Sequence, residues 1–143
     1  MSDKEQQEKT RAGEKLIKFI EKYPDANWDW MYISGDNNIT LELIDKYPNK
    51  PWDWHYIFKN PSIKPSLEFI EKYNDKDWYW GFGGISGHPD LTLEFIKKYP
   101  DKPWSWSNLS NHPNFTLEWF EEFPDKEWDM LSLQLNFFKV DEK

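Results

Sequence analysis

The sequence predicts an all-α protein, a short α-solenoid of about five helix–turn–helix repeats of ~24–26 residues each. Three observations predict it. A tryptophan pair spaced W-x-W recurs at Trp28/Trp30, Trp52/Trp54, Trp78/Trp80 and Trp104/Trp106, and Trp128/Met130 is a fifth, altered copy. The first Trp advances in steps of 24, 26, 26 and 24 residues. Ahead of each pair lies an apolar segment in constant register: LIKFIEKYP from 16, LELIDKYP from 41, LEFIEKYN from 67, LEFIKKYP from 93 and LEWFEEFP from 117.

Helix A opens each unit. Thr40, Ser66, Thr92 and Thr116 stand at its start, where a hydroxyl accepts from an otherwise unpaired backbone N–H. Glu follows two residues later and suits the positive end of the helix dipole. Ile39, Leu91 and Phe115 precede the cap and lie five positions before Ile44, Ile96 and Phe120, the spacing of a hydrophobic staple. Leu93, Phe95, Ile96 and Tyr99 form a helical stripe, and Pro24, Pro48, Pro100 and Pro124 stop the helix.

A short turn leads to helix B, with Pro51 or Pro103 expected near its first position. Helix B carries the Trp pair and an apolar residue such as Ile33, Ile57 or Leu109, and ends at Asn60-Pro61, His88-Pro89 or His112-Pro113. The alternation Trp52, Trp54, Tyr56 also suits a strand, which would make a β/α repeat solenoid the alternative. The start and stop signals favour helix. Residues two apart on a helix point about 200° apart, so the two indoles of a unit must face different neighbours. A stack of repeats supplies apolar contacts on both sides.

The units span about 14–38, 39–63, 64–90, 91–114 and 115–138, one helical-repeat domain between a flexible tail, 1–13, and a C-terminal tail, 139–143. Two copies deviate. The second carries an insertion at Lys64-Pro65, and the third carries Gly81-Phe82-Gly83-Gly84, which should distort helix B. The structural core is assigned to Trp28, Trp30, Trp52, Trp54, Trp78, Trp80, Trp104, Trp106 and Trp128.

Composition limits the function. With 19% aromatic residues and 143 residues the chain can build one folded domain. The net charge of −8 opposes non-specific binding to nucleic acid or anionic membrane and permits a basic partner. No apolar stretch approaches the ~18 residues of a membrane span. The absence of cysteine removes disulfides, thiolate metal sites and a catalytic thiol, and agrees with a cytoplasmic location.

No motif points to chemistry. His55, His88 and His112 lack metal-ligand spacing and suit surface turns. The carboxylates Asp25/Asp29, Asp75/Asp77, Glu121/Glu122 and Asp125 recur as a solvated acidic face. The Gly-rich run 81–87 has no GK[ST] after it, and no Ser–His–Asp motif is present. The expectation is a protein that is not an enzyme and needs no metal or cofactor.

Repeat arrays use constant positions to stack and variable ones to bind. Between copies, the position after the first Trp and the two after the second vary most. Asp29, Asp53, His55, Tyr56, Tyr79 and Phe82 are therefore the candidate partner-binding residues.

The phrase PDKPWSWSNLSNHPNFTLE at 100–118 resembles a tryptophan-rich tandem repeat of giant DNA viruses of the mimivirus type, of the form NPNIT, short helix, PDKPWDW, I/L-S-x-N-P. Residues 92–124 and 40–61 carry the likeness best, while the Lys64-Pro65 and Gly-rich insertions depart from it. The resemblance implies a viral or virus-related protein of the host cytoplasm with an interaction role. Three functions follow as expectations: a scaffold for protein–protein interaction, a small-ligand (nucleotide- or sugar-like) binder using exposed rings, or a self-associating structural protein.

Overall fold

The computed structural model describes residues 2–138, and the expected C-terminal tail, 139–143, lies outside them. The fold is all-α. No strand occurs among the described residues, which removes the β/α alternative. The chain divides into two compact units, residues 1–77 and 78–143.

The first unit contains α1 (Asp3–Lys22), α2 (Trp30–Ser34), α3 (Leu41–Lys46), α4 (Trp54–Lys59) and α5 (Leu67–Lys72). The second contains a 3-10 turn over Ile85–Gly87, then α6 (Leu93–Lys98), α7 (Trp106–Leu109), α8 (Leu117–Glu122) and α9 (Met130–Phe137). Most of these helices have four to six residues, far below the ~12–15 at which an isolated helix becomes stable. Caps and packing must therefore hold them.

The caps of helix A form at Thr40, Ser66 and Thr92, whose hydroxyls accept from the N–H groups of Leu43, Phe69 and Phe95 at 3.1, 3.2 and 3.1 Å. Thr116 does not cap through its side chain; its carbonyl accepts from Trp119 N–H instead. Each helix A ends on an aromatic residue, Tyr47, Tyr73, Tyr99 or Phe123, which leaves the α region ahead of Pro48, Asn74, Pro100 or Pro124. Asn74 replaces proline and caps the helix by donating to the Glu71 carbonyl at 2.8 Å.

Ile39, Leu91 and Phe115 are buried at the staple positions, and so is Ile63. The inserted Lys64-Pro65 hid Ile63 in the sequence. Lys64 takes φ 43°, the left-handed region, and turns to solvent, while Pro65 is buried and Ile63 stays in the core.

Residues 3–13, expected as tail, are helical and form the first part of α1. A capping box starts it: the Ser2 hydroxyl accepts from Glu5 N–H, and the Glu5 carboxylate accepts from Ser2 N–H. Gly13 lies so close to the Asn38 side chain that no β-carbon would fit unless Asn38 moved. The side chains of this segment are otherwise largely exposed, which is the solvated character seen in the sequence.

Helix B begins later than the sequence suggests. Pro51 and Pro103 lie outside it, in an extended lead-in that also holds the first Trp. The residue between the two indoles is the N-cap. Asp29, Asp53, Ser105 and Asp129 accept from the N–H groups of Tyr32, Tyr56, Asn108 and Ser132 at 3.0, 3.0, 3.2 and 3.1 Å. The third copy has Tyr79 there, which cannot cap, and a 3-10 turn takes the place of its α-helix.

The two indoles of a copy do face different neighbours. The first donates its Nε1–H to the carbonyl ending its own helix A: Trp28 to Tyr23, Trp52 to Tyr47 and Trp104 to Tyr99 at 2.8 Å, Trp128 to Phe123 at 2.7 Å. This bond closes the hairpin. The second packs edge-on against the first indole of the following copy: Trp30–Trp52 at 4.9 Å, Trp80–Trp104 at 5.2 Å and Trp106–Trp128 at 5.1 Å between ring centroids. That contact joins hairpin to hairpin within each unit.

A buried serine seals the same joint. Ser34, Ser86 and Ser110 each donate back to the carbonyl of the second Trp of their copy. Each also accepts from the backbone N–H of the next copy's cap residue, Asp53, Ser105 or Asp129, at 2.9, 2.9 and 2.8 Å.

Charge completes the joints in the first unit. Lys46 pairs with Glu21, Lys50 with Asp25 and Lys72 with Asp45 at 3.0, 2.8 and 2.9 Å. The Lys50 hydrogen bond lowers the pKa of Asp25, and the bonds from Lys72 and Tyr73 lower that of Asp45. Bonds to Glu21 and Asp45 raise the pKa values of Lys46 and Lys72, and burial raises that of Tyr73. A carboxylate with a depressed folded pKa contributes stability above its unfolded value of about 3.9 and loses it as pH falls below that. Lys and Tyr groups with raised values contribute below about 10 and lose it as pH rises. A plot of melting temperature against pH should be flat between these limits and fall on both sides. Asp45→Asn should flatten the acid side, by a modest amount because the pairs are solvent-exposed.

Candidate functional site

The indoles are taken up by packing. Eight of the ten tryptophans are buried, Trp119 among them, and Trp28 and Trp106 are half-buried. What helix B leaves to solvent is the pair of residues after its second indole position, because these sit on the turn of helix that faces away from both neighbours.

In the first unit the adjacent helices α2 and α4 present Met31, Tyr32, His55 and Tyr56 side by side, with Tyr32 75% exposed and Tyr56 52% exposed. Asp29, Met31, Tyr32, Asp36, Asn37 and Tyr56 line a groove of about 540 Å³. Met31 also borders a second depression of about 230 Å³, with Asp53, His55 and Asp77 on its walls. The result is a strip of apolar and aromatic surface edged by carboxylates.

The six candidate residues divide accordingly. Asp29 and Tyr56 share the larger groove; Asp53 and His55 share the smaller one. Asp29 and Asp53 spend one carboxylate oxygen each on capping, so their variation between copies reflects which residues can cap as well as any contact they make. The His55 Nε2 lies 4.0 Å from the Asp77 carboxylate. Tyr79 and Phe82 belong to the second unit. Tyr79 is half-buried with its ring over the backbone of Gly81 and Gly84, while Phe82 is 73% exposed. Met31 and Tyr32, which line the larger groove, are absent from the sequence candidates although they hold the same variable positions as His55 and Tyr56.

The Gly-rich run is largely bonded to itself. Four of its N–H groups donate internally: Gly84 to Gly81, Ile85 to Tyr79, Ser86 to Trp80 and Gly87 to Gly84, at 2.9 to 3.0 Å. The run keeps Ile85 and Ser86 in the core positions of Ile33 and Ser34 despite two extra residues.

The histidines also find structural places. His88 and His112 are turn residues, as expected, but buried ones. Asp36, Asn60, His88 and His112 are equivalent, and each accepts from the N–H two residues on, at 2.8 to 3.1 Å. His112 Nδ1 faces an N–H and must accept, so Nε2 donates to the His88 carbonyl at 2.7 Å. Asn60 does the same work in the first unit, donating to the carbonyls of Ser34 and Asp36. Among the described residues no group of three His, Cys, Asp or Glu could hold a metal ion, and no helix is long and apolar enough to cross a membrane. No protein-family model, curated protein or solved structure matches the chain.

Proposed function

We propose that the protein is a non-enzymatic repeat scaffold that binds another protein through the strip formed by Met31, Tyr32, His55 and Tyr56. The observation that carries this reading is that adjacent helix-B elements hold apolar and aromatic side chains in solvent, over a groove edged by Asp29 and Asp36. Tyr and Met are enriched at interface centres, where rigid rings supply contact area at low entropic cost. The net charge of −8 and the carboxylates around the strip favour a basic partner, whose binding weakens as salt is added. The likeness of residues 40–61 and 92–124 to giant-virus repeats supports a viral or virus-related origin and a place in the host cytoplasm.

A combined Met31→Ala, Tyr32→Ala, Tyr56→Ala variant tests this by affinity capture from infected-cell lysate. Its melting temperature should stay close to the parent's, because all three side chains are exposed, while the captured partner is lost. Capture of the same partner in undiminished amount by the triple variant would overturn the reading.

A groove of this volume also lies in the range of small-molecule sites, and two tyrosines line it. On that second reading a nucleotide- or sugar-like compound raises the melting temperature of the parent and leaves the triple variant unmoved.

A further inference from the structure

We propose that the protein assembles front to back with a second copy of itself, the bare front of α1 in one molecule seating on the bare back of α9 in the next. The surfaces lie outside the Met31–Tyr32–Tyr56 strip, so the two proposals stand or fall separately.

The joints inside each unit define what a front and a back require. The aromatic residue ending helix A packs on the second indole of the preceding copy: Tyr73 on Trp54 at 5.5 Å, Tyr99 on Trp80 at 6.3 Å and Phe123 on Trp106 at 5.1 Å. The lysine two residues before the first Trp lies over the same indole, as Lys50 does on Trp30 and Lys102 on Trp80. The lysine at the end of helix A reaches the acid of the preceding copy, Lys46 to Glu21 and Lys72 to Asp45.

The first copy has a front of this kind that no described residue covers. Phe19 and Tyr23 stack on each other at 6.2 Å and are 44% and 49% exposed, whereas the equivalents of Phe19, namely Leu43, Phe69 and Phe95, are at most 7% exposed. Lys22 lies over the Tyr23 ring at 5.4 Å, the same pose in which Lys72 lies over Tyr73 and reaches Asp45.

The fifth copy has the matching back. Met130 holds the position of the second indole and is 55% exposed, against 7% for Trp30 and Trp54 and 4% for Trp80. Leu135 on the same helix is also exposed. Glu121 occupies the acid position of Glu21 and Asp45 and is open to solvent.

The two faces complement each other position by position. Lys22 and Glu121 keep the ion pair of the internal joint. Ala26 stands where the internal fronts carry a lysine, and Met130 stands where the internal backs carry its indole partner, so cation and ring are missing together. Gln134, exposed, holds the position from which Ser34, Ser86 and Ser110 accept a backbone N–H of the next copy. A basic or apolar peptide of another protein would have no need of this matched set of departures. A front-to-back contact is heterologous, so two molecules joined by it still offer one front and one back.

Sedimentation velocity of the full chain from about 1 μM to about 1 mM tests the proposal. The sedimentation coefficient of the parent should rise with concentration. Tyr23→Glu blocks the front and Met130→Glu blocks the back, and each variant alone should sediment as a monomer. An equimolar mixture of the two should form a 1:1 dimer, since one supplies an intact back and the other an intact front. Restoring the internal joint with Ala26→Lys and Met130→Trp together should tighten association about tenfold. A coefficient that does not change with concentration would overturn the proposal. So would self-association of the Tyr23→Glu variant, which would mean that α9 pairs with itself, or a mixture that stays monomeric.

Discussion

Replacing Trp80 with alanine is expected to cost the second unit about 3–5 kcal/mol, the range for truncating a buried aromatic residue. Trp80 is 4% exposed. Its ring meets Trp104 edge-on at 5.2 Å and Tyr99 at 6.3 Å, and Lys102 lies 5.0 Å above it. Removing it leaves a void between two hairpins whose helices are too short to persist without that contact. Since a whole domain is stable by only about 5–15 kcal/mol, most of the unit's cooperative unfolding should be lost. Phe82→Ala, two residues away at a 73% exposed side chain, should change stability by no more than about 0.5 kcal/mol. Urea unfolding of both variants checks the contrast.

Gly84→Ala is expected to destabilise by about 2–3 kcal/mol through a steric clash. A β-carbon at Gly84 would overlap the Tyr79 carbonyl oxygen and press on its ring. The carbonyl is backbone and cannot swing aside, and it also accepts from Ile85 N–H, the bond that restarts the helical register after the insertion. The clash therefore pushes on Ile85 and Ser86, both fully buried. Gly87, in the same turn, has its nearest neighbour at 3.8 Å, so Gly87→Ala should be tolerated within about 0.5 kcal/mol. Equal losses at the two glycines would show that helix content, and not this one close approach, governs the segment.

Much of the fold was legible because several local signals agreed at most copies of helix A: a capping hydroxyl, an early glutamate, a staple residue or a proline stop. The opposed directions of the two indoles were expected from helix geometry; the structure shows both contacts, although the first indole lies ahead of the helix. Helix B was harder. Its first Trp sits ahead of the helix, so W-x-W carries one residue outside the helix and one inside it and has neither period cleanly. The residue between the indoles looked variable, Asp, Asp, Tyr, Ser, Asp, when four of its five versions are good N-caps. Asp29 and Asp53 were read as contact residues, and capping accounts for their type as well. Ile63 was hidden by the two residues inserted after it, and the capping box at Ser2 and Glu5 by the charge around it. The joint made by Ser34, Ser86 and Ser110 could not be read from one copy, because each hydroxyl acts on the next.

The candidate surface was legible only in outline. Comparing copies marks positions free to vary, and the two after the second indole position are the ones helix B exposes. Which of them cluster depends on how neighbouring hairpins are spaced. In the first unit the Trp30–Trp52 contact sets α2 beside α4 and brings Tyr32 and Tyr56 to one groove. Packing and exposure are thus assigned to different positions of the same short helix: the indole inward to the next copy, its successors outward.

A double-mutant cycle on Trp30 and Trp52, each replaced by leucine alone and together, tests most directly that these rings join one hairpin to the next. Leucine keeps an apolar side chain and removes the edge-to-face contact at 4.9 Å. The account predicts a coupling of about 0.5–1.5 kcal/mol, with each single replacement already costing most of what the pair costs. Strictly additive losses would contradict it, since the two indoles would then stabilise their own hairpins independently and the joint between copies would have to lie elsewhere.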